Sequence, residues 1–219
     1  QQVTDETYLK ALKVESPIIN NKSKLKNFLS LDLYNDKQSI NTSFEVYEDL
    51  SKADNDKFEY VPSFSFSNII NDNSSFDSLG YYKNYNTNIK EKVIINKFNF
   101  QPIPKYFNNG VVNKKTFLIK NINSKAKNSE NFENDISNTL LPTIQSTYTF
   151  PLVKETEKFN NTLTPKLSFR LSPDYTRDIR NRNEGRIDYF NIYDIDRLGI
   201  DVANEGGISA TYGYEYTKL

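Results

Sequence analysis

The sequence predicts an all-β fold of antiparallel strands, and three observations carry that expectation. Apolar and polar residues alternate with a period of two along many stretches, while the 3.6-residue period of a helix is missing. A low mean hydropathy of -0.69 is combined with 14% aromatic residues, a mixture suited to sheets with one apolar and one wet face. Strands of about ten residues are joined by short links, as at 35–38, and by longer polar ones, as at 123–134. A soluble sandwich uses shorter strands, with turn signals every ~8–12 residues. Short turns on one side and long loops on the other describe an antiparallel transmembrane β-barrel segment: roughly ten or eleven strands of a larger outer-membrane barrel.

The elements follow in order. A strand candidate near 5–13 precedes Leu29, Leu31 and Leu33, which alternate with Ser30 and Asp32. From Ser39 to Tyr47, Ile40, Thr42, Phe44 and Val46 share one face, and Asn41, Ser43, Glu45 and Tyr47 the other. From Phe58 to Ser67, Phe58, Tyr60, Pro62, Phe64 and Phe66 oppose Glu59, Val61, Ser63, Ser65 and Ser67. Weaker candidates lie at 75–85, 88–100, 115–124, 136–150 and 185–193. Leu167, Phe169 and Leu171 mark another strand, and Ile208, Ala210, Tyr212, Tyr214 and Tyr216 the last. The clusters NDNSS at 71–75 and NSKAKNSEN at 123–131 have the composition of loops.

Composition also excludes function classes. Cysteine and histidine are both absent, so disulfides, thiol chemistry and any Ser-His or Cys-His mechanism are excluded within this chain. Lys+Arg 28 against Asp+Glu 28 gives no basic footprint, and no nucleic-acid partner is expected. Fifteen Tyr and fifteen Phe are too many for a disordered chain. Acid pairs such as Glu48-Asp49 and Asp194-Asp196 lack a supporting pocket signature and read as solvated charges rather than glycosidase carboxylates. No Asp-rich stretch follows the EF-hand spacing. No enzyme, cofactor or metal is therefore expected. Without Met or a signal-peptide pattern, the chain reads as an internal or processed fragment.

The stretch NIYDIDRLGIDVANEGGISATYG, from Asn191 to Gly213, is the most specific. Asn191-Ile192-Tyr193 leads to Asp196-Arg197-Leu198, then Asp201, Glu205-Gly206-Gly207 and Tyr212-Gly213. This order resembles the C-terminal barrel domain of the LPS-assembly (LptD, organic solvent tolerance) family. Gly199 and Asp201 stand one position earlier than that pattern leads one to expect. EVYEDL at 45–50 with FEYVPSFSFS at 58–67, the stretch 151–173 and DETYLKAL near the start are similar to other parts of the same domain. The resemblance implies one barrel domain over residues 1–219, with a periplasmic N-terminal jellyroll outside this chain. It also implies delivery of lipopolysaccharide to the outer leaflet in the cell outer membrane. The implied partners are lipopolysaccharide, a plug lipoprotein (LptE-like) and a periplasmic bridge protein (LptA-like). A general porin or transporter barrel and a soluble surface adhesin remain the alternatives.

The motif residues have physical readings beside the resemblance. Arg197 and Glu205 are expected to pair at the lumen or an extracellular loop, tying loop to wall. The bland reading is an exposed pair worth ~0–1 kcal/mol. Gly206 and Gly207 are expected to supply positive φ at a strand entrance. Gly213, inside a strand, marks close packing against a lumenal plug, a bulge, or simple strand weakening. Tyr81, Tyr82, Tyr85, Tyr148, Tyr212, Tyr214 and Tyr216 would join aromatic girdles in a barrel, or cross-strand pairs in a soluble sheet.

Overall fold

In a computed structural model of the chain, residues 24–52, 57–85, 88–155, 159–177 and 187–218 are described. They fold as an antiparallel, all-β structure. The strands are β1 (Lys24–Tyr34), β2 (Gln38–Asp49), β3 (Phe58–Asn71), β4 (Ser74–Tyr85), β5 (Ile89–Phe100) and β6 (Lys105–Tyr106). They continue as β7 (Val112–Lys127), β8 (Ser137–Thr149), β9 (Leu152–Glu155), β10 (Asn160–Ser172) and β11 (Gly207–Lys218). Hydrogen bonding links them in the order β1-β2-β3-β4-β5-β7-β8-β10-β11, with β6 on β7 and β9 on β10. Among the described residues the sheet is open, and β1 and β11 are its edges.

The chain divides into two compact units. One holds the described residues through Asn68 with Asp77–Asn96 and Ile122–Thr139; the other holds Ile69–Phe76, Lys97–Asn121 and the chain from Leu140 onward.

In the first unit the register stacks apolar side chains across three strands. Leu33, Ile40 and Phe66 are aligned, as are Leu31, Thr42 and Phe64, and Leu29, Phe44 and Pro62. Of these, Leu29, Leu31, Leu33, Ile40, Phe44 and Phe64 are exposed, with Leu29 at 74% and Leu31 at 56% of full accessibility, and Thr42, Pro62 and Phe66 are half-buried. The intervening residues form polar contacts on the other face. Lys26 pairs with Glu45 at 2.6 Å, Tyr47 donates to Glu45 at 2.5 Å, and the Ser43 and Ser63 hydroxyls lie 2.7 Å apart. Farther along that face Glu91, Val93 and Ile95 are buried, while Lys90, Lys92 and Ile94 point outward. A Cβ on Gly80 would enter the ring of Phe64, so this position in β4 requires glycine.

The second unit repeats the pattern. Leu171, Phe169, Leu167, Pro165 and Leu163 face Ile208, Ala210, Tyr212, Tyr214 and Tyr216 across β10 and β11. Ile208, at 82% exposure, and the three tyrosines project away from the chain. Between them Arg170, Ser168 and Lys166 align with Ser209, Thr211 and Gly213 on the opposite face. Here the exposed face is the apolar one and the sheltered face the polar one, the inverse of a soluble sheet and the arrangement an outer-membrane barrel wall needs.

Several expectations are corrected in detail. Residues 187–193, expected in a strand over 185–193, form turns. The Asp188 carboxylate accepts from the Phe190 amide at 2.8 Å, and the Asn191 side-chain oxygen accepts from the Asp188 amide at 2.9 Å. Local side-chain bonds of this kind compete with a strand ladder. The expected loop at 123–131 begins five residues late, because β7 continues to Lys127 with Ser124 and Ala126 buried between exposed lysines. NDNSS is likewise mostly strand, and the β3–β4 turn is Asp72-Asn73. The candidate at 5–13, with DETYLKAL, lies outside the described residues.

The two faces set opposite tolerances. Phe44→Arg places a charge at mid-strand on the apolar face and is expected to cost about 2–4 kcal/mol of folding into a bilayer. Phe44→Leu should cost less than about 1.5 kcal/mol. Urea titration of the full-length protein in lipid vesicles measures both.

Candidate functional site

The inner face of the second unit carries charge that the sheet alone does not neutralise. β5 and β7 present Lys97 and Lys120, and β10 presents Arg170. Lys120 is 1% exposed. A buried ammonium without a partner is strongly unfavourable. The partners come from segment 187–206, which folds back onto this face before the chain enters β11.

The segment is a succession of turns held by its own polar groups. The Ile192 amide donates to the Asp188 carbonyl at 2.9 Å, and the Asp194 amide to the Asn191 carbonyl at 2.8 Å. Gly199 adopts φ +67, the left-handed region open to glycine. Asn204 and Arg177 exchange backbone bonds at 2.8 Å, and the Asn204 side chain donates to the Tyr175 carbonyl at 2.6 Å. Leu198 and Ala203 are buried beneath.

Two charge clusters fasten this segment to the wall. In the first, Asp196 Oδ2 accepts Lys120 Nζ at 2.8 Å and Lys97 Nζ at 3.4 Å, and Lys97 also pairs with Asp201. Lys120 donates in addition to the Ala203 carbonyl at 2.9 Å. Two lysines thus meet two aspartates, and the cluster is neutral. In the second, Arg197 forks onto Glu205, with Nε at 2.8 Å from Oε2 and Nη2 against Oε1. Arg197 Nη2 also donates to Ser209 Oγ at 3.0 Å. Arg170 reaches from β10 to the carbonyls of Ile195 and Glu205, each at 2.9 Å. A bidentate guanidinium-carboxylate pair fixes orientation as well as charge.

The six motif residues fall in two groups. Arg197, at 8% exposure, Glu205, Gly206 and Gly207 come together at the entrance of β11. Gly213 lies farther along the same strand on the inner face, whereas Tyr212 projects outward. Gly207 has φ +88, but Gly206 does not share it. A Cβ on Gly206 would lie 2.5 Å from the Tyr175 amide nitrogen and 2.7 Å from the Pro173 carbonyl oxygen, so close backbone approach demands the glycine. Gly213 seats Tyr193 of the same chain, since a Cβ there would lie 2.5 Å from the phenol oxygen. Burial, with smaller effects from Glu215 and Tyr212, pushes the Tyr193 phenol above its ordinary pKa, and it stays protonated. Gln145 secures the same residue by donating to the Tyr193 carbonyl at 2.8 Å.

Lys97, Lys120, Arg170 and Gln145 were not anticipated as site residues. The available signal was parity: Lys120 falls between Leu118 and Ile122 on the inward side of β7. Beside the segment lies an open cavity of about 600 Å³, lined in part by Thr116, Thr147, Lys166 and Tyr193.

Two predictions follow from these contacts. Asp196→Ala leaves Lys120 buried without its acid and should cost about 3 kcal/mol, whereas Lys120→Met with Asp196→Leu should recover most of that loss. Urea midpoints of the full-length protein decide between them. Gly213→Ala should cost about 1–3 kcal/mol through overpacking against the Tyr193 hydroxyl. Adding Tyr193→Phe removes the clashing oxygen and should restore stability, read by the same titration.

Comparison with curated proteins returned no match. The family model described as LptD, LPS transport system D, matches residues 1–217, nearly the whole chain. That family is an outer-membrane β-barrel component of lipopolysaccharide transport, and the two-faced sheet fits that architecture. The chain belongs to the LptD family.

Proposed function

We propose that this chain forms wall strands and an inserted loop of a translocon that places lipopolysaccharide in the outer leaflet of the outer membrane, with no covalent bond made or broken. The observation that carries this reading is the opposition of faces along single strands. On β10, Leu167, Phe169 and Leu171 are exposed and apolar, while Lys166, Ser168 and Arg170 face inward. An amphipathic lipid needs both environments: a wet lumen for sugars and phosphates, and an apolar boundary for acyl chains.

Residues 1–219 form part of one barrel domain on this reading, and a periplasmic jellyroll of the whole protein receives cargo from an LptA-like bridge. An LptE-like lipoprotein plugs the lumen. Arg197 and Glu205, paired with each other, tie the inserted segment to the wall through Ser209 of β11 and Arg170 of β10, and Gly206, Gly207 and Gly213 allow the backbone and Tyr193 to approach. The described strands do not transport alone, because the edges β1 and β11 expose unpaired backbone groups that lipid does not satisfy.

The test places a photo-crosslinker at Glu45 and, separately, at Val46 of the full-length protein in cells. Glu45 should crosslink to lipopolysaccharide or a small lipoprotein, and Val46 to membrane lipid alone. Equal labelling from both sites, with the protein extractable without detergent, would sink the translocon reading and favour a soluble adhesin.

A further inference from the structure

We propose that the outer face of the first unit carries a phosphate-binding lysine patch, formed by Lys90, Lys92, Lys125 and Lys127, which holds phosphorylated lipid headgroups of the leaflet around the wall. The inference rests on the membrane-wall reading above and concerns resident lipid outside the sheet, not cargo in the lumen.

Contacts on both faces bring the four lysines together. Lys97 of β5 and Lys120 of β7 both reach Asp196, so odd positions of β5 and even positions of β7 share the inner face. Glu91, Val93 and Ile95 on one strand and Ile122, Ser124 and Ala126 on the other are accordingly buried. Lys90, Lys92, Lys125 and Lys127 fall on the opposite face and are exposed. Where β5 begins and β7 ends, the Asn128 side chain donates to the Asn88 carbonyl at 3.2 Å, which sets the two lysine pairs side by side. The neighbouring strand identifies the face as the apolar one. Gly80 of β4 lies against exposed Phe64, and two residues on, the Tyr82 ring has Lys92 Nζ 5.6 Å from its centroid.

Ammonium groups so arranged call for an anion. Two residues of a strand span about 7 Å and neighbouring strands lie about 4.8 Å apart, so one phosphate is within reach of all four chains. Like charges side by side on a sheet repel, and no carboxylate pairs with these lysines among the described residues. Glu91, between the β5 lysines in sequence, faces inward, where it accepts from Tyr85 at 3.1 Å and Ser129 at 2.5 Å.

The position of the patch selects a lipid. Connections 50–57, 128–136 and 173–206 join strands at this end, and the short turns 35–37 and 72–73 join them at the other. Long connections of outer-membrane barrels lie on the extracellular side. The patch therefore stands at the outer-leaflet boundary, with exposed Ile94 next along β5 on the same face. Lysine suits this place, because its alkyl stem lies along apolar surface while its ammonium reaches the headgroup layer. Lysine clusters beside membrane-embedded segments capture anionic headgroups in this way. An acidic protein partner held by the lysines alone would leave Ile94 in water, whereas lipid covers it.

The test uses the full-length protein in phosphatidylcholine nanodiscs containing lipid A, either phosphorylated or stripped of its phosphates, with a photo-crosslinker at Ile94. The phosphorylated form should be captured about ten-fold more than the stripped form. Replacing all four lysines by glutamine should abolish that preference, and replacing them by arginine should keep it. Inorganic phosphate should not compete. Equal capture of both forms by the unsubstituted protein, or a preference that survives the glutamine variant, would overturn the patch. Competition by inorganic phosphate, or crosslinking to protein in place of lipid, would overturn the lipid assignment. A preference at Ile94 with no lipopolysaccharide captured from Glu45 in cells would keep the patch and sink the transport reading. Capture from Glu45 without a preference at Ile94 would do the reverse.

Discussion

The structure turns on a lysine that the sheet cannot neutralise. Lys120 sits in the middle of β7, sheltered from water, and among the described residues the carboxylate it pairs with is that of Asp196, more than seventy positions away in the turn-rich segment before β11. Desolvating an ammonium costs several kcal/mol, recovered only with a close acid and further hydrogen bonds. Asp196 and the Ala203 carbonyl supply both. Segment 187–206 consequently has one docked arrangement that satisfies the wall, and Lys97, Arg170 and the Arg197–Glu205 fork specify its register. Clusters of opposed charge suit this task because they set orientation as well as adding stability.

The same strands carry a second constraint, imposed from the other side. Leucine, phenylalanine and tyrosine side chains stand exposed on β1, β2, β10 and β11, where water would penalise each by roughly 1.5–3 kcal/mol relative to burial. Lipid removes the penalty, and on β10 the inner face keeps Lys166, Ser168 and Arg170. Period-2 geometry makes the two requirements compatible, since adjacent residues on one strand meet different solvents. Slipping any strand by one residue would exchange the faces, placing arginine in lipid and phenylalanine in the lumen. Register is thus set by lipid outside and by ion pairs inside.

Strand positions were legible in the sequence because alternation is a local signal. Leu29, Leu31 and Leu33, or Leu167, Phe169 and Leu171, declare a face without reference to anything distant. Failures occurred where a local signal competed with another. Residues 187–193 contain enough apolar side chains to suggest a strand, yet Asp188 and Asn191 bond their own backbone and hold turns. Residues 123–127 have loop composition, yet Ser124 and Ala126 are small inward residues of a long strand. The Arg197–Glu205 contact was expected from short spacing, whereas Lys97 and Lys120 find their acids about a hundred and about eighty residues away. No periodicity reports such a pairing. Gly206 illustrates the same limit: its need for glycine arises from the Pro173 and Tyr175 backbone, which sequence does not place beside it.

The most direct test of the docked segment is amide hydrogen exchange on the full-length protein in a lipid bilayer. The amides of Asp194, Ala203, Asn204 and Gly207 donate to backbone carbonyls within the docked arrangement. The account predicts that they exchange as slowly as amides within β10. Exchange at the rate of an unstructured loop would mean that the charge clusters do not hold the segment, and the wall would then need another source of neutralisation for Lys120.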